Sequence, residues 1–425
     1  MRTFRSFSVR DKAYFKAQML NWLGRFNICC FLDNHQYSLP PHLHDCMAAA
    51  GQISVMHGSY NSMLDGIEKF NALHHDWIFG HFGYDLKNEI EELRSDHPDP
   101  IGFPDSFLFV PEYVVIVEES SVSIGSLQQD HDAVFNEISA AEPVRFSGNQ
   151  VEVKQRISRD EYISSVQKLQ EHIHRGDCYE INFCQEFYAE HATIDPAATY
   201  HALSGISPNP FSVFYRWGSR YLLCASPERF LTRQGNRLLS QPIKGTIARD
   251  IEDPVRDLEL KNELSQSLKD KTENVMIVDL VRNDLSRVCN EGTVEVNEMF
   301  GIYAFPQVYQ MVSTVSGELK ENMGLVDILR ACFPMGSMTG APKRKVLELI
   351  ERYERTKRGI FSGSVGYITP GKDFDFNVVI RSIMYNEADH YLQFMAGSGI
   401  TASSDPVQEY EECMLKASAI RKILS

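Results

Sequence analysis

The sequence lacks a long apolar run. Its longest uninterrupted apolar stretches, such as residues 114–117, are far shorter than the ~20 residues that a membrane-spanning helix requires. Charged side chains interrupt the first twenty residues every few positions, so the apolar segment of a secretory signal is absent there. We therefore expect a protein with neither a membrane span nor a secretory leader.

Cysteine pairs and positive charge are also scarce. The nine cysteines include no Cys-x-x-Cys pair, and their odd number argues against a complete disulfide framework, so a reducing cytoplasm is the expected compartment. Lysine and arginine total 42 against 57 aspartates and glutamates, which gives a net charge of −15. Because nucleic acids and anionic membranes are bound through clustered positive charge, neither is an expected partner.

The sequence also shows no internal repeat and no low-complexity tract. A length of 425 residues corresponds to two or three domains of average size, and the polar stretch 139–149 marks a boundary near residue 150. Strands joined by tight turns indicate antiparallel pairing, and helix formers dominate three long segments. We therefore predict an α+β fold of large, mainly antiparallel sheets packed together and covered by helices. The predicted strands are 113–118, 211–217, 221–225, 229–243 (folded at 234–236), 362–369, 376–385 and 391–396, and the predicted helices begin near 158 and cover 253–289, 343–358 and 405–424.

Glu228 and Lys244 form the first candidate constellation. In a hairpin that turns at Asn236, these two residues face each other across neighbouring strands, with Cβ atoms ~5 Å apart. One interpretation is a solvated cross-strand ion pair. The other is a chemical pair, in which lysine is the nucleophile or base and glutamate the acid.

Glu409 and Glu412 form the second constellation, because a spacing of three places them on one helical face, with Lys416 one turn further on. Two carboxylates at this spacing repel each other unless a cation lies between them, and Mg²⁺ takes one or two carboxylates, waters and a substrate oxygen. A third carboxylate is available at Glu273, which lies among apolar residues. The alternative is that all three glutamates are solvated charges on helix surfaces.

Two glycine-containing loops could approach a ligand closely. The segment 336–343, GSMTGAPK, precedes a predicted helix whose first residue we take to be Pro342, and it is either an anion site or an ordinary helix start. The segment 397–402, GSGITA, formally matches a dinucleotide loop. The following strand and acidic residue that such a fold requires are missing, so only the close backbone approach remains.

The two glycine-containing segments and five further motifs resemble the chorismate-utilising enzymes. This family includes anthranilate synthase component I, aminodeoxychorismate synthase component I, isochorismate synthase and salicylate synthase. The resemblance is dense across 150–425 and reaches upstream to the FGYDL motif at 82–86. It implies an anthranilate synthase component I-like fold, with an N-terminal region (1–149) interwoven with a chorismate-binding catalytic domain (150–425). The motifs are SPERF, PIKGT, ENVMIVDLVRND, GSMTGAPK, GSVGY, the GSG turn and EYEE.

The third residue of PIKGT indicates the reaction. Members of the family that make anthranilate, isochorismate or salicylate have alanine there, whereas members that aminate chorismate at C4 have lysine, as this sequence does at Lys244. The resemblance therefore implies that Lys244 attacks C2 of chorismate while Glu228 helps the C4 hydroxyl to leave. Ammonia then adds at C4 and expels the lysine, which gives 4-amino-4-deoxychorismate for p-aminobenzoate and folate synthesis.

The resemblance also implies a Mg²⁺ site, a substrate site and a partner. Glu273 and Glu412 match the metal ligands, with Glu409 acting through water, and Arg381 matches the residue that captures the enolpyruvyl carboxylate. No glutaminase segment is evident, so a separate glutamine amidotransferase subunit is expected to supply the ammonia. The positions that match the substrate site are Gly245, Thr246, Gln310, Thr339, Phe361, Arg381, Gly397, Gly399 and Lys416.

Three of the site positions depart from the family pattern. Gln310 stands where histidine is usual, and Phe361 stands where some members have a tyrosine hydroxyl. Glu180 stands where members that add water have lysine and members that use ammonia usually have glutamine. Two alternative functions stay open: anthranilate synthase component I, and a noncatalytic chorismate-binding regulatory subunit.

Overall fold

The computed structural model describes residues 1–37, 44–56 and 62–425, which form 22 strands, eleven α-helices and two short 3₁₀ helices. The strands are β1 Thr3–Ser8, β2 Ile28–Asp33, β3 Cys46–Ala50, β4 Ser54–Val55, β5 Ile78–Phe82, β6 Ser106–Val110, β7 Tyr113–Val117, β8 Ser121–Ser126, β9 Lys154–Gln155, β10 Glu180–Ala189, β11 Phe211–Trp217, β12 Arg220–Ser226, β13 Arg229–Gln234, β14 Arg237–Gln241, β15 Ile243–Ala248, β16 Glu295–Ala304, β17 Val308–Glu318, β18 Gly340–Ala341, β19 Ser364–Ile368, β20 Phe374–Asn377, β21 Ser382–Asn386 and β22 Tyr391–Ile400. The helices are α1 Lys12–Leu23, α2 Met63–Leu73, α3 Lys87–Ile90, α4 His131–Ala140, α5 Arg159–His174, α6 Pro196–Ile206, α7 Pro254–Gln266, α8 Leu268–Val288, α9 Leu325–Cys332, α10 Lys343–Tyr353 and α11 Pro406–Leu424, and the 3₁₀ helices are Tyr84–Leu86 and Gly336–Met338.

Two large antiparallel sheets carry the fold. The first has twelve strands in the order β1-β8-β7-β3-β2-β11-β12-β21-β22-β10-β18, with β9 beside β10. The second has ten strands in the order β15-β17-β14-β13-β20-β19-β5-β6-β4, with β16 beside β17. The predicted α+β class with mainly antiparallel sheets is confirmed.

Both sheets combine strands from before and after residue 149. In the first sheet β2 pairs with β11, so that Phe31 faces Phe214, and in the second sheet β5 pairs with β19, so that Phe79 faces Tyr367. Each pairing joins strands more than 100 residues apart in sequence. The proposed boundary at residue 149 therefore does not coincide with a gap in either sheet.

The core has two layers because neighbouring residues of a strand point to opposite faces of a sheet. On β2, Cys30 packs into the apolar layer shared by the two sheets, together with Phe79 and Phe109 of the second sheet. Its neighbour Phe31 packs into the layer between the first sheet and the helices, which includes Trp22 of α1. The first sheet is thus buried on both faces, and helices cover its outer side.

Local capping explains where several helices begin. Ser158 and Glu161 form a reciprocal capping box at the start of α5, which agrees with the helix predicted to begin near 158. Helices α6, α7 and α11 each begin with an aspartate cap followed by proline, as at Asp405 and Pro406. Ser267 divides the predicted helix 253–289 into α7 and α8.

Three local predictions were wrong. The hairpin β13–β14 pairs Arg229 with Gln241, so Glu228 does not face Lys244 across a ladder, and after Pro242 the chain crosses to pair with β17 instead. The predicted strand 376–385 is two strands, β20 and β21, which belong to different sheets. Pro342 was predicted as the first residue of a helix, but it is the N-cap of α10, which begins at Lys343. Residues 340–341, which precede it, form a short strand that pairs with β10.

All nine cysteines lie in the described residues, where they are buried free thiols. Across residues 1–37, 44–56 and 62–425, no helix is long and apolar enough to cross a membrane.

A buried cluster around Arg358 joins the N-terminal FGYDL motif to strand β10. The Arg358 guanidinium donates to both carboxylate oxygens of Glu354, to the carbonyl oxygen of Met338 and to that of Asn182 on β10. It also lies 4.7 Å from the ring centroid of Tyr84, and the side chains of Arg358 and Glu354 are 1% and 3% exposed. The FGYDL motif therefore has a structural role in this fold.

We expect the substitution Arg358→Leu to destabilise the fold by about 3–5 kcal/mol, because it leaves the Glu354 carboxylate buried without its partner. The midpoint of urea unfolding, followed by circular dichroism, measures this loss. Arg94→Leu is the matched control, since the Arg94–Asp96 pair is 85% and 81% exposed and contributes at most about 1 kcal/mol. Equal effects of the two substitutions would contradict the prediction.

Candidate functional site

The site is centred on Lys244 of β15, where an amine meets several carboxyl groups. The Lys244 Nζ donates to Oε1 of Glu180 on β10 at 2.6 Å, and the two side chains are 11% and 3% exposed. Burial alone would lower the pKa of Lys244, but the carboxylates of Glu180 and Glu273 raise it above its ordinary value. In the ligand-free protein Lys244 is therefore an ammonium held by an ion pair.

Glu228 is a second buried carboxyl close to this amine. It follows β12 in the Ser226–Pro227–Glu228 turn, where its backbone N–H donates to the Ser226 hydroxyl, and it is 4% exposed. Burial raises the pKa of Glu228 to about 7, while the Ser337 hydroxyl and the charges of Lys244 and Arg381 oppose that shift. A carboxyl with this pKa keeps its proton in a large fraction of molecules at neutral pH, as a general acid requires.

Arg381 interacts electrostatically with Glu228 and lies in the crossover from β20 to β21. Its backbone adopts a left-handed conformation with φ 50°, which separates the two strands. Burial lowers the pKa of the guanidinium, and the nearby Glu228 carboxyl opposes that effect. In the part of the chain that the structure describes, Arg381 has no ion-pair partner, so its charge is available to an anionic ligand.

The charges of three glutamates act on a second ammonium group, that of Lys269 in the first turn of α8. Lys269 Nζ lies 3.6 Å from Oε1 of the buried Glu409. Burial would lower the pKa of Lys269, but Glu409, Glu273 and Glu412 together raise it. The charge of each of the three glutamates that the sequence predicts as metal ligands therefore acts on Lys269.

Glu273 is the member of this trio with spare coordinating capacity. Its Oε1 is buried and accepts no hydrogen bond from the described residues, and burial raises its pKa to about 7. Glu412, in contrast, pairs with Lys416 at 2.7 Å, and Lys416 also donates to the carbonyl oxygen of Gly397. Burial would raise the pKa of Glu412, but Lys416 and Lys269 lower it below its ordinary value.

A ready-made metal cluster is not visible within residues 1–37, 44–56 and 62–425, where no three acidic, histidine or cysteine side chains converge as ligands. The lysines explain this arrangement, because Lys269 and Lys416 contact the carboxylates that would otherwise face a cation. The buried Glu273 oxygen, which accepts no hydrogen bond from the described residues, and the carboxyl groups of Glu409 and Glu412 that also act on Lys269 fit a hard divalent ion such as Mg²⁺.

Gly399 on β22 gives the Lys244–Glu180 pair its space. A Cβ atom at this position would lie 2.8 Å from Glu180 Oε1 and 2.9 Å from Lys244 Nζ. Gly397 is tighter still, since a Cβ there would lie 2.0 Å from the carbonyl oxygen of Phe183. The GSG segment was predicted as a turn after a strand that ends at residue 396, but it lies within β22 and pairs with β10. Its two glycines therefore let β22 pass beside Lys244 and Glu180.

We expect Gly399→Ala to reduce turnover at this site by at least about tenfold while the fold persists, because the new methyl group displaces flexible side-chain ends instead of backbone. Steady-state kinetics with a thermal unfolding scan measures both quantities. Gly205→Ala is the matched control, since a Cβ atom at Gly205 meets nothing within 4 Å. A fully active Gly399→Ala variant would refute this role.

The other predicted substrate residues have varied local surroundings. Gln310 on β17 faces Thr246 on β15 and has a buried side-chain oxygen that accepts no hydrogen bond from the described residues. Residue 245 has a positive φ of 93°, a conformation that favours glycine, and a Cβ atom there would lie 2.9 Å from Cβ of Asp270. Thr246 is exposed. The Thr339 hydroxyl donates to the carbonyl of Met335, and Phe361 packs in the hydrophobic core.

The structure adds two residues to the predicted catalytic, substrate and metal residues, Glu180 and Lys269. Glu180 stood out in the sequence as an unusual residue, but its contact with Lys244 was not predicted because β10 and β15 belong to different sheets. Lys269 was missed altogether. The available signal was its position four residues before Glu273, which places both side chains on one face of α8.

The arrangement combines a buried amine, a carboxyl group that retains a proton near neutral pH, and a guanidinium without an ion-pair partner. An amine can attack an electron-poor carbon, a protonated carboxyl can assist the departure of hydroxide, and a guanidinium can bind a carboxylate. Chemistry of this kind suits a small polyanionic substrate from which a hydroxyl group is displaced.

Comparison with known proteins agrees with this chemistry. The family model described as "chorismate binding enzyme" matches residues 45–422. The chain is 34% identical over 350 residues to aminodeoxychorismate synthase component 1 of Escherichia coli, covering 81% of this chain and 76% of that protein. It is 32% identical over 357 residues to anthranilate synthase component 1 of Thermus thermophilus, covering 81% of this chain and 76% of that protein.

Solved structures share the fold. The menaquinone-specific isochorismate synthase of Escherichia coli superposes with a TM-score of 0.78 at 18% identity, covering 100% of this chain and 95% of that chain. Anthranilate synthase component I of Streptococcus pneumoniae superposes with a TM-score of 0.74 at 22% identity, covering 98% and 92% of the two chains. The predicted anthranilate synthase component I-like fold is confirmed.

Proposed function

The chain belongs to the chorismate-binding enzymes, and we propose that it converts chorismate and ammonia to 4-amino-4-deoxychorismate. The observation that carries this proposal is the buried Lys244 amine, which interacts electrostatically with Glu228 in a site that also contains Arg381. The Lys244 side chain supplies an amine nucleophile at this point. The curated relatives named aminodeoxychorismate synthase component 1 support the same reaction, and the product would feed p-aminobenzoate and folate synthesis.

In the proposed reaction Lys244 attacks C2 of chorismate and forms a covalent intermediate. Glu228 donates its proton to the C4 hydroxyl, which leaves as water. Ammonia then adds at C4, the C2–Nζ bond breaks, and Lys244 is released. Arg381 orients the substrate through its enolpyruvyl carboxylate, and the backbone beside Gly397 and Gly399 leaves room for the ring.

The proposal includes Mg²⁺, which Glu273, Glu412 and Glu409 would hold. When bound, the ion would fix the ring carboxylate of chorismate and offset its charge. The three glutamates then have a common role, which is to surround a cation close to Lys244, and Lys416 neutralises the outer carboxylate of Glu412.

We further propose that ammonia comes from a separate glutamine amidotransferase subunit in the cytoplasm, with no role for nucleic acid or membranes. The relatives are named as component 1, which supports a second component. Free ammonium at high concentration should replace that subunit in vitro.

Product identification tests the proposed function. The purified protein is incubated with chorismate, Mg²⁺ and ammonium, and the products are separated by liquid chromatography with mass detection. We expect 4-amino-4-deoxychorismate as the main product. If the main product is instead anthranilate, detected by its fluorescence, the protein is an anthranilate synthase. Calorimetric binding of chorismate without any product would establish the noncatalytic regulatory subunit.

A further inference from the structure

Glu180 is a buried carboxylate that the proposed reaction does not yet use. Its Oε1 accepts a hydrogen bond from Lys244 Nζ at 2.6 Å, and its side chain is 3% exposed. Its Oε2 is buried as well and accepts no hydrogen bond from the described residues. A carboxylate oxygen with no partner, beside an amine that must react, is a costly arrangement unless the carboxylate changes its protonation during the reaction.

Lys244 cannot attack chorismate as it stands. An ammonium group has no lone pair, and the surrounding carboxylates keep Lys244 protonated in the ligand-free protein. A proton must therefore leave Nζ before the C2–Nζ bond forms. Solvent has little access to this proton, because the Lys244 side chain is 11% exposed and bound chorismate would cover it further.

The other carboxyl groups near Lys244 are less suited to take the proton. Glu228 must arrive protonated in order to donate to the leaving hydroxyl, so it has no capacity to accept another proton. Glu273 interacts with Lys244 through its charge, but it makes no hydrogen bond to Nζ among the described residues. Glu180 is the carboxylate in hydrogen-bond contact with the reacting nitrogen.

We propose that Glu180 is the base that accepts a proton from Lys244 before the amine attacks chorismate, an inference that rests on the proposed function. The Nζ–H bond breaks, an Oε1–H bond forms on Glu180, and Nζ keeps the electron pair. That pair forms the bond to C2, the ring double bond shifts, and the C4–O bond breaks as Glu228 protonates the departing oxygen. When ammonia later adds at C4, the ring double bonds shift back and the C2–Nζ bond breaks, so Lys244 leaves as a neutral amine. The new ammonium group at C4 gives one proton to the Glu228 carboxylate, and Glu180 returns its proton to Nζ.

Desolvation supplies the driving force for this transfer. In water the ion pair is favoured, because both charges are hydrated. In a closed, dry site that hydration is lost, so the neutral pair of amine and carboxylic acid becomes accessible. Gly399 brings the backbone of β22 against both side chains and keeps this space small.

The isosteric substitution Glu180→Gln tests the proposal, because the amide keeps a hydrogen bond to Nζ but cannot take its proton. With chorismate, Mg²⁺ and ammonium we expect the rate near neutral pH to fall about 100-fold. We also expect the ratio of wild-type to variant rates to shrink about tenfold for each pH unit between about pH 6 and 8, since hydroxide must then replace the base. The effect of Glu228 protonation on the rate is the same in both proteins and therefore cancels in this ratio.

Mass spectrometry provides a second readout. Without ammonium, the wild type should accumulate a Lys244 adduct with the mass of chorismate minus water, and the variant should form it more slowly at low pH. Glu180→Asp, which retains a carboxylate, should recover part of the rate and the wild-type pH dependence. Glu186→Gln on the same strand removes another buried carboxylate, which pairs with Arg156, and should leave the rate ratio independent of pH.

The outcomes are distinguishable. A wild-type protein that makes no 4-amino-4-deoxychorismate refutes the proposed function itself. An active wild type with a Glu180→Gln variant that is equally fast, faster, or slower by a factor that does not vary with pH refutes the role of Glu180 as base. If Glu180→Gln does not fold, as judged by thermal unfolding, Glu180→Asp decides through its rate and pH profile.

Discussion

Replacement of Lys244 by alanine is expected to reduce 4-amino-4-deoxychorismate formation by at least about 1,000-fold. The reason is that alanine removes the nucleophile, so ammonia would have to displace the C4 hydroxyl directly without a covalent intermediate. Initial rates with chorismate, Mg²⁺ and ammonium, measured by chromatographic product analysis, give the ratio.

Lys244→Arg separates the charge of Lys244 from its chemistry. Arginine can keep the ion pair with Glu180, but its guanidinium cannot be deprotonated, so this variant should be as inactive as Lys244→Ala. Lys16→Ala is the matched control, because Lys16 is also buried and paired with an acid, Asp33 at 2.6 Å, away from the site. Full product formation by Lys244→Ala would rule out the covalent role.

Replacement of Glu228 by glutamine is expected to lower kcat/KM for chorismate by about 100- to 10,000-fold, because the leaving hydroxide loses its proton donor. Burial raises the pKa of Glu228 from its ordinary 4.5 to about 7, so the active, protonated form is present below about pH 7 and is lost above it. The wild-type kcat/KM should therefore decline as the pH rises through about 7. The residual activity of Glu228→Gln should lack this decline, and a variant that retains the decline would assign it to another group.

The same carboxyl links stability to pH. Because the folded protein binds the Glu228 proton more tightly than the unfolded chain, its contribution to stability is fully present below pH 4.5 and is lost as the pH rises through about 7. Glu228→Gln removes this dependence. Relative to the wild type, the variant should therefore gain stability in urea unfolding between pH 4.5 and 8, and a constant difference would contradict the assigned pKa.

The fold was predictable wherever local sequence patterns determine structure. Strand β11 was predicted with its observed bounds, and α11 within one residue, because apolar periodicity and the cap at Asp405 act over a few residues. Predictions that depended on long-range geometry were less successful. The pairing of Glu228 with Lys244 failed because Pro242 ends the β13–β14 ladder, and β15 then pairs with β17.

In the candidate site, too, the sequence predicted the individual residues better than the contacts between them. Motifs in the sequence pointed to Lys244, Glu228, Glu273 and Arg381, whose side chains carry recognisable chemistry. The ion pair of Lys244 with Glu180 was not predictable from spacing, because 64 residues and a change of sheet separate the two. Lys269 was missed because a lysine in the first turn of a helix has no distinctive pattern, although the charges of three glutamates act on it.

The mixed order of strands in the two sheets has a consequence for biosynthesis. Strands β2 and β5 can pair early with β3 and β6, but the partners of their other edges, β11 and β19, are made much later, in the case of β19 about 280 residues after β5. The emerging N-terminal segment therefore spends most of translation with strand edges and apolar faces exposed, a state that favours association with chaperones over stepwise folding. The proposed site can form only after α11 has been made, because Lys244, Arg381 and Lys416 lie far apart in the sequence and Lys416 belongs to α11.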